Sequence, residues 1–218
     1  MKRLNNRMRS GRKAFTLVEL IVVLVILAVL AAMLVPALTG YIKRAKREKC
    51  YDQAYYARVA AQSAMTELYS KGEVLVPITN SKDSDWTSNE YGDQILSYMG
   101  LQRGDNEPYI LIFGVGSYNK YKDDADKSTL PYTVLFVAYV ADENAPAVYY
   151  VDGTWTYSYP WDDKSITGGA GKPNVIGVGP NKGTEITLCV VCNRSKYPNI
   201  TSAGFWTGAE GLKGHSDP

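Results

Sequence analysis

Hydrophobic and polar positions fall into three regimes along the chain. From Leu20 to Leu38 every position is apolar and none is charged. Nineteen residues at 1.5 Å each make a helix of about 29 Å, close to the ~30 Å thickness of bilayer hydrocarbon. From residue 41 to 71 there is neither Pro nor Gly. Cys50, Ala54, Ala57, Ala61, Ala64, Met65 and Leu68 recur there at spacings of three and four, one apolar stripe on a helix. Gly72 supplies a C-terminal stop. These two regimes predict a single helix from Phe15 to Lys71, about 85 Å long, greasy all round in its first half and amphipathic in its second.

The third regime is strand-like. Residues 73–107 are mixed and polar, a connection with a short helix near Gly92–Met99. Tyr109–Val115 is an apolar run, and Tyr132–Val140 is rich in Val, Tyr and Phe. Val148–Val151 and Thr154–Tyr157 flank Asp152-Gly153, a two-residue hairpin signal. Val175–Val178 reads as a short edge strand and Glu185–Val191 as a final strand. The tail, 193–218, is rich in Gly, Ser, Asn and Lys and predicts irregular structure. A helix followed by antiparallel strands points to an α+β fold.

Charge refines this picture. The net charge of +2 hides an asymmetry: residues 1–14 hold Lys2, Arg3, Arg7, Arg9, Arg12 and Lys13 with no acid. Without those six, 18 basic side chains would face 22 acidic ones, about −4. The body is then mildly acidic, which leaves nucleic acid a weak candidate partner. A second basic run, Lys43, Arg44, Lys46, Arg47 and Lys49, lies at headgroup level or against acidic neighbours. Basic residues flank both ends of the apolar stretch, so the positive-inside rule favours an inner N-terminus only weakly.

A plain secretory signal would place its cleavage site at Val35-Pro36-Ala37. The apolar run exceeds the 7–15 residues usual for such a signal. Glu19 also sits inside the apolar segment, and a carboxylate there marks function by default.

Lys13-Ala14-Phe15-Thr16-Leu17-Val18-Glu19-Leu20 resembles the prepilin cleavage and methylation motif of type IV pilins and pseudopilins: a basic leader, a small residue, then Phe-Thr-Leu-x-Glu and an apolar stretch. The resemblance implies a cut between Ala14 and Phe15 and N-methylation of Phe15. It makes Glu19 the assembly carboxylate and matches Pro36 to a proline common in the family's helix. Ala14 departs from the Gly usual before the cut. The implied layout is a removed cytoplasmic leader (1–14), a helix (15–72) with a transmembrane and filament-core part (15–40) and a head-packing part (41–72), a connecting loop (73–107), a head (108–192) with an antiparallel sheet of about four strands on which the outer half of the helix packs, and a tail (193–218). The implied partners are further copies in a helical filament, a prepilin peptidase that also methylates, and a membrane assembly platform. The chain would sit in the cytoplasmic membrane before assembly and in an extracellular pilus afterwards.

Two physical alternatives stay open. Glu19 lies one turn from Phe15, so its carboxylate can meet its own new amine or a neighbour's. Pro36, with Gly40, permits a simple kink or local melting that lets a fibre stretch. The resemblance also leaves pilin and pseudopilin as alternatives, with a membrane-anchored binding module as a more distant rival.

The remaining candidates are weaker. Cys189 and Cys192 form the chain's one Cys-x-x-Cys and are a disulfide candidate, although three residues apart on a strand they face opposite sides unless the chain turns near Val191. A bond from Cys50 to one of them, or free thiols, are the other arrangements; the family often staples its C-terminal region, usually across a longer loop. Asp123-Asp124-x-Asp126 and Asp162-Asp163 lack the EF-hand spacing and read as solvated turns. Gly168–Lys172 lacks the Walker spacing and reads as a flexible connection. Asn193 and Asn199 open sequons. Tyr149, Tyr150, Trp155, Tyr157, Tyr159 and Trp161 make an aromatic-rich hairpin for core packing, or for adhesion and base stacking. With one histidine and no nucleophile–base pair, neither a metal site, a cofactor nor an enzyme is expected.

Overall fold

A computed structural model describes residues 15–72, 90–104, 106–116, 130, 132–169, 172–194, 212 and 215. The leader with Ala14, the Asp123–Asp126 cluster, Asn199 and most of the tail lie outside the described residues. The chain forms two compact units, residues 1–45 and 46–218.

In the first unit, helix α1 (Leu17–Lys71) opens. Its side chains are exposed throughout the apolar stretch. In the second unit α1 buries Cys50, Ala54, Ala57, Ala60, Ala61, Ala64 and Met65. Alanine is short and an excellent helix former, so this stripe lets the helix axis approach a sheet closely at little entropic cost. Gly72, at φ 68°, ends the helix in a left-handed conformation.

A second helix, α2 (Glu90–Tyr98), precedes seven strands: β1 (Ile110–Gly116), β2 (Val134–Val140), β3 (Val148–Val151), β4 (Thr154–Thr156), β5 (Ile166–Gly169), β6 (Lys172–Ile176) and β7 (Glu185–Asn193). They form one antiparallel sheet in the order β4-β3-β2-β1-β7-β6-β5. The expected α+β class holds, but the strand count of about four is corrected to seven. All six strand-like segments of the sequence are strands in that sheet, β5 is the seventh, and the count of four came from the resemblance. Gly168–Lys172 is no loose connection: Gly169 pairs with Lys172, closing the β5–β6 hairpin. The strand expected at Val175–Val178 is β6 and lies inside the sheet, with β5 as the edge. Gly and Lys carry little strand propensity, so β5 and β6 owe their conformation to pairing. The Asp152-Gly153 turn matches its signal: both residues have positive φ, 41° and 99°, as a type I′ turn requires.

β1 and β2 are buried along their whole length because both faces of the sheet are covered. On one face, Tyr150 pairs with Val137 and with Trp155. The Arg58 guanidinium of α1 lies 4.2 Å from the centre of the Tyr150 ring. On the other face, Phe136 meets Trp161 at 5.5 Å and Tyr149 meets Tyr159 at 6.2 Å. The aromatic-rich hairpin is therefore divided between two cores. Gln62 clamps helix to sheet: its Nε2 donates to the Tyr132 carbonyl (2.8 Å) and its Oε1 accepts from the Val134 N–H (2.9 Å). The tail contributes a buried Leu212, whose carbonyl accepts from the Tyr149 hydroxyl, and His215, whose carbonyl accepts from the Ala147 N–H.

The Cys189–Cys192 disulfide is not formed; all three thiols are free and buried. No turn interrupts β7 at Val191. Instead, Leu111 opposes Cys192 while Ile112 opposes Val190, so Val191 is the extra residue of a bulge. The bulge restores parity and turns both cysteines to one face. Cys192 points its sulfur at the Glu107 carboxylate, 3.8 Å away. Burial pushes the Cys189 thiol up to about 12, and burial aided by the Glu107 charge does the same for Cys192. Cys50 is raised as well, chiefly by burial.

Two outcomes follow from this packing. Replacing Gln62 with Ala removes both hydrogen bonds, and at about 2 kcal/mol the loss should lower Tm by roughly 4–8 °C in a melt followed by circular dichroism. At pH 8 a thiol with a pKa near 12 is ionised to only about one part in ten thousand. Iodoacetamide should thus leave Cys189 and Cys192 unmodified in the native head and label them after denaturation, as read by mass.

Candidate functional site

The candidate site is the start of α1. Thr16 precedes the helix, and its carbonyl accepts the first helical hydrogen bond, from the Leu20 N–H at 3.3 Å. The Thr16 hydroxyl accepts from the Glu19 N–H (3.2 Å). In return, the Glu19 Oε2 accepts from both the Thr16 N–H and the Thr16 hydroxyl, each at 2.9 Å. This is a capping box: the N-cap side chain and the acid three residues on satisfy each other's donors. The carboxylate also sits in the first helical turn, where the helix dipole favours negative charge. Thr16 is the functional residue that the reading of the sequence missed. Its signal, Thr-x-x-Glu ahead of an apolar run, was present at Thr16–Glu19.

Phe15 is 82% exposed, and large apolar side chains stay exposed on every side of α1 as far as Ile42. The helix is long and apolar enough to cross a membrane. It runs through Pro36 without interruption. Proline has no N–H to offer the Ala32 carbonyl one turn back, and the Thr39 hydroxyl donates to the Pro36 carbonyl at 2.8 Å. Of the expected site residues, Phe15 and Glu19 sit together at the helix start and Pro36 lies within the apolar stretch. Ala14 is outside the described residues.

The other candidates resolve into structure. Asp163 accepts from the Ser165 N–H at 2.8 Å, closing a local turn. Among the described residues no group of three or more His, Cys, Asp or Glu is arranged to hold a metal. Cys189 and Cys192 lie within strand β7 and not at a helix start, and Asn193 is that strand's last residue.

The profile of the prokaryotic N-terminal methylation motif matches residues 9–35. No curated protein and no solved structure matches the chain. The matched stretch contains the Ala14–Phe15 bond, the Thr16–Glu19 capping box and the apolar start of α1. The chain thus carries a prokaryotic N-terminal methylation motif at its start, and that segment supports a likeness to the type IV pilin or prepilin-type family.

Proposed function

We propose that the mature chain is a structural subunit of a type IV pilus-like filament, cut by prepilin peptidase between Ala14 and Phe15 and polymerised through the apolar half of α1. The observation that carries this reading is the methylation motif running into a helix whose large apolar side chains are exposed all round its circumference. Such a surface is unfavourable in water and needs a cover. Lipid covers it in the precursor, and other copies of the same helix cover it in the fibre.

Trimming changes charge more than shape. It removes six cationic side chains and leaves an ammonium on Phe15, next to the residue that holds Glu19. In a fibre core without water an unpaired carboxylate costs several kcal/mol. An ammonium about 4 Å away at an effective dielectric near 20 returns roughly 4 kcal/mol. Until that partner arrives, Thr16 supplies two donors to the carboxylate. Transfer from this self-contained pair to the amine of a neighbouring subunit would set the axial register between copies.

The protein recovered from its host should begin with an N-methylated Phe15, read from intact mass and N-terminal sequencing. A chain that still starts at Met1, or one that starts beyond Pro36, overturns the reading. Glu19→Ala should insert in the membrane as the wild type does and yield few or no sheared filaments. Thr16→Val keeps the backbone donor and loses the hydroxyl, at about 1 kcal/mol of capping, so its filament yield should lie between those of wild type and Glu19→Ala. Normal filaments from Glu19→Ala remove the carboxylate from the mechanism.

A further inference from the structure

The basic run after the apolar stretch is not absorbed by filament formation. Lys43, Arg44, Lys46, Arg47 and Lys49 are all exposed. Within the second unit, at about 100° per residue, Lys46, Arg47 and Lys49 lie inside an arc of about 160° on α1, and Glu48 falls outside that arc.

Beside Arg47 lies an amphipathic aromatic rim. The Arg47 guanidinium sits 4.7 Å from the centre of the Tyr157 ring, and the Tyr157 hydroxyl donates to the Arg47 carbonyl at 2.9 Å. Tyr51 meets Trp155 edge-on at 5.2 Å, and Tyr55 lies 6.3 Å from the same indole. Tyr51 and Tyr55 remain exposed, while Trp155 and Tyr157 are half-buried. Tyr and Trp with one greasy and one polar edge concentrate at membrane–water interfaces. The tether is short as well: Lys46 follows Leu38 by eight residues, which span about 12 Å as helix and no more than about 28 Å fully extended.

We propose that, before assembly, this surface docks on a lipid bilayer: Lys46, Arg47 and Lys49 contact anionic headgroups, with Tyr51, Trp155 and Tyr157 at the interface. The proposal rests on the reading of α1 as membrane-inserted in the precursor. Docking holds the head down on the bilayer that its helix spans, and leaving the membrane for a fibre breaks those contacts along with the burial of the apolar helix. Clusters of Lys and Arg next to a membrane span recognise anionic lipid in this way, and salt weakens the attraction.

The test uses the full chain reconstituted in vesicles of phosphatidylcholine alone or with phosphatidylglycerol, each carrying a nitroxide-headgroup lipid that quenches nearby indoles. The quenching lost in Trp155→Phe reports Trp155. It should be stronger in the phosphatidylglycerol vesicles and fall with added salt. Each charge removed in Lys46→Gln, Arg47→Gln and Lys49→Gln should reduce the docked-to-undocked ratio by about fivefold. A chain that floats with both vesicles but shows equal Trp155 quenching in them, or quenching unmoved by the triple variant, overturns docking alone. In that case, oligodeoxythymidine bound by the detergent-held chain marks single-stranded nucleic acid as the partner instead. A chain that floats with neither vesicle overturns the membrane reading and docking together.

Discussion

The structure turns on an apolar helical surface that the described residues leave uncovered. Around α1 from Leu17 to Ile42 large apolar side chains are exposed in every direction. In the proposed function that surface passes from one cover to another, from lipid to sister helices. The one polar side chain admitted near its start, Glu19, is held by Thr16 through two donors. The capping box makes the carboxylate tolerable in the lone chain without tying it covalently, and that leaves it available to a stronger cationic partner.

The same helix does different work from Lys46 onward. A stripe of alanines and Cys50 seats it on the sheet, and Gln62 ties it to the entry of β2 through both atoms of its amide. Arg58 over Tyr150 and Arg47 over Tyr157 add contacts along the side that faces β3 and β4. The outer half of α1 is thus held by apolar packing, hydrogen bonds to backbone groups and cation–π contacts. The head depends on no disulfide: its thiols are buried and held protonated, Cys192 beside an acid and all three out of solvent.

The two halves differ in chemistry. The N-terminal half holds the motif and the exposed apolar surface. The head holds a seven-stranded sheet, two aromatic cores on its opposite faces, and a fully buried Leu212 from the tail. The basic run Lys43–Lys49 stands at the junction in the sequence, where a membrane-held subunit and a fibre subunit would differ most in surroundings.

What the sequence determined by itself was local or periodic. The methylation motif, the membrane-length apolar run, the alanine stripe, the Gly72 stop and the Asp152-Gly153 turn depend on residues close together in the chain, so each was readable from its neighbours. The Thr16–Glu19 box belonged to this class too and was legible by its spacing. Only the tertiary structure decided matters that join distant residues. It set how many strands the sheet holds, because β5 and β6 become strands by pairing and not by propensity. It also placed the bulge at Val191 that turns Cys189 and Cys192 to one face, the division of the aromatic hairpin between two cores, and the grip of Gln62 on residues seventy positions away. Their energy comes from neighbours brought together by folding, and no local pattern encodes such contacts.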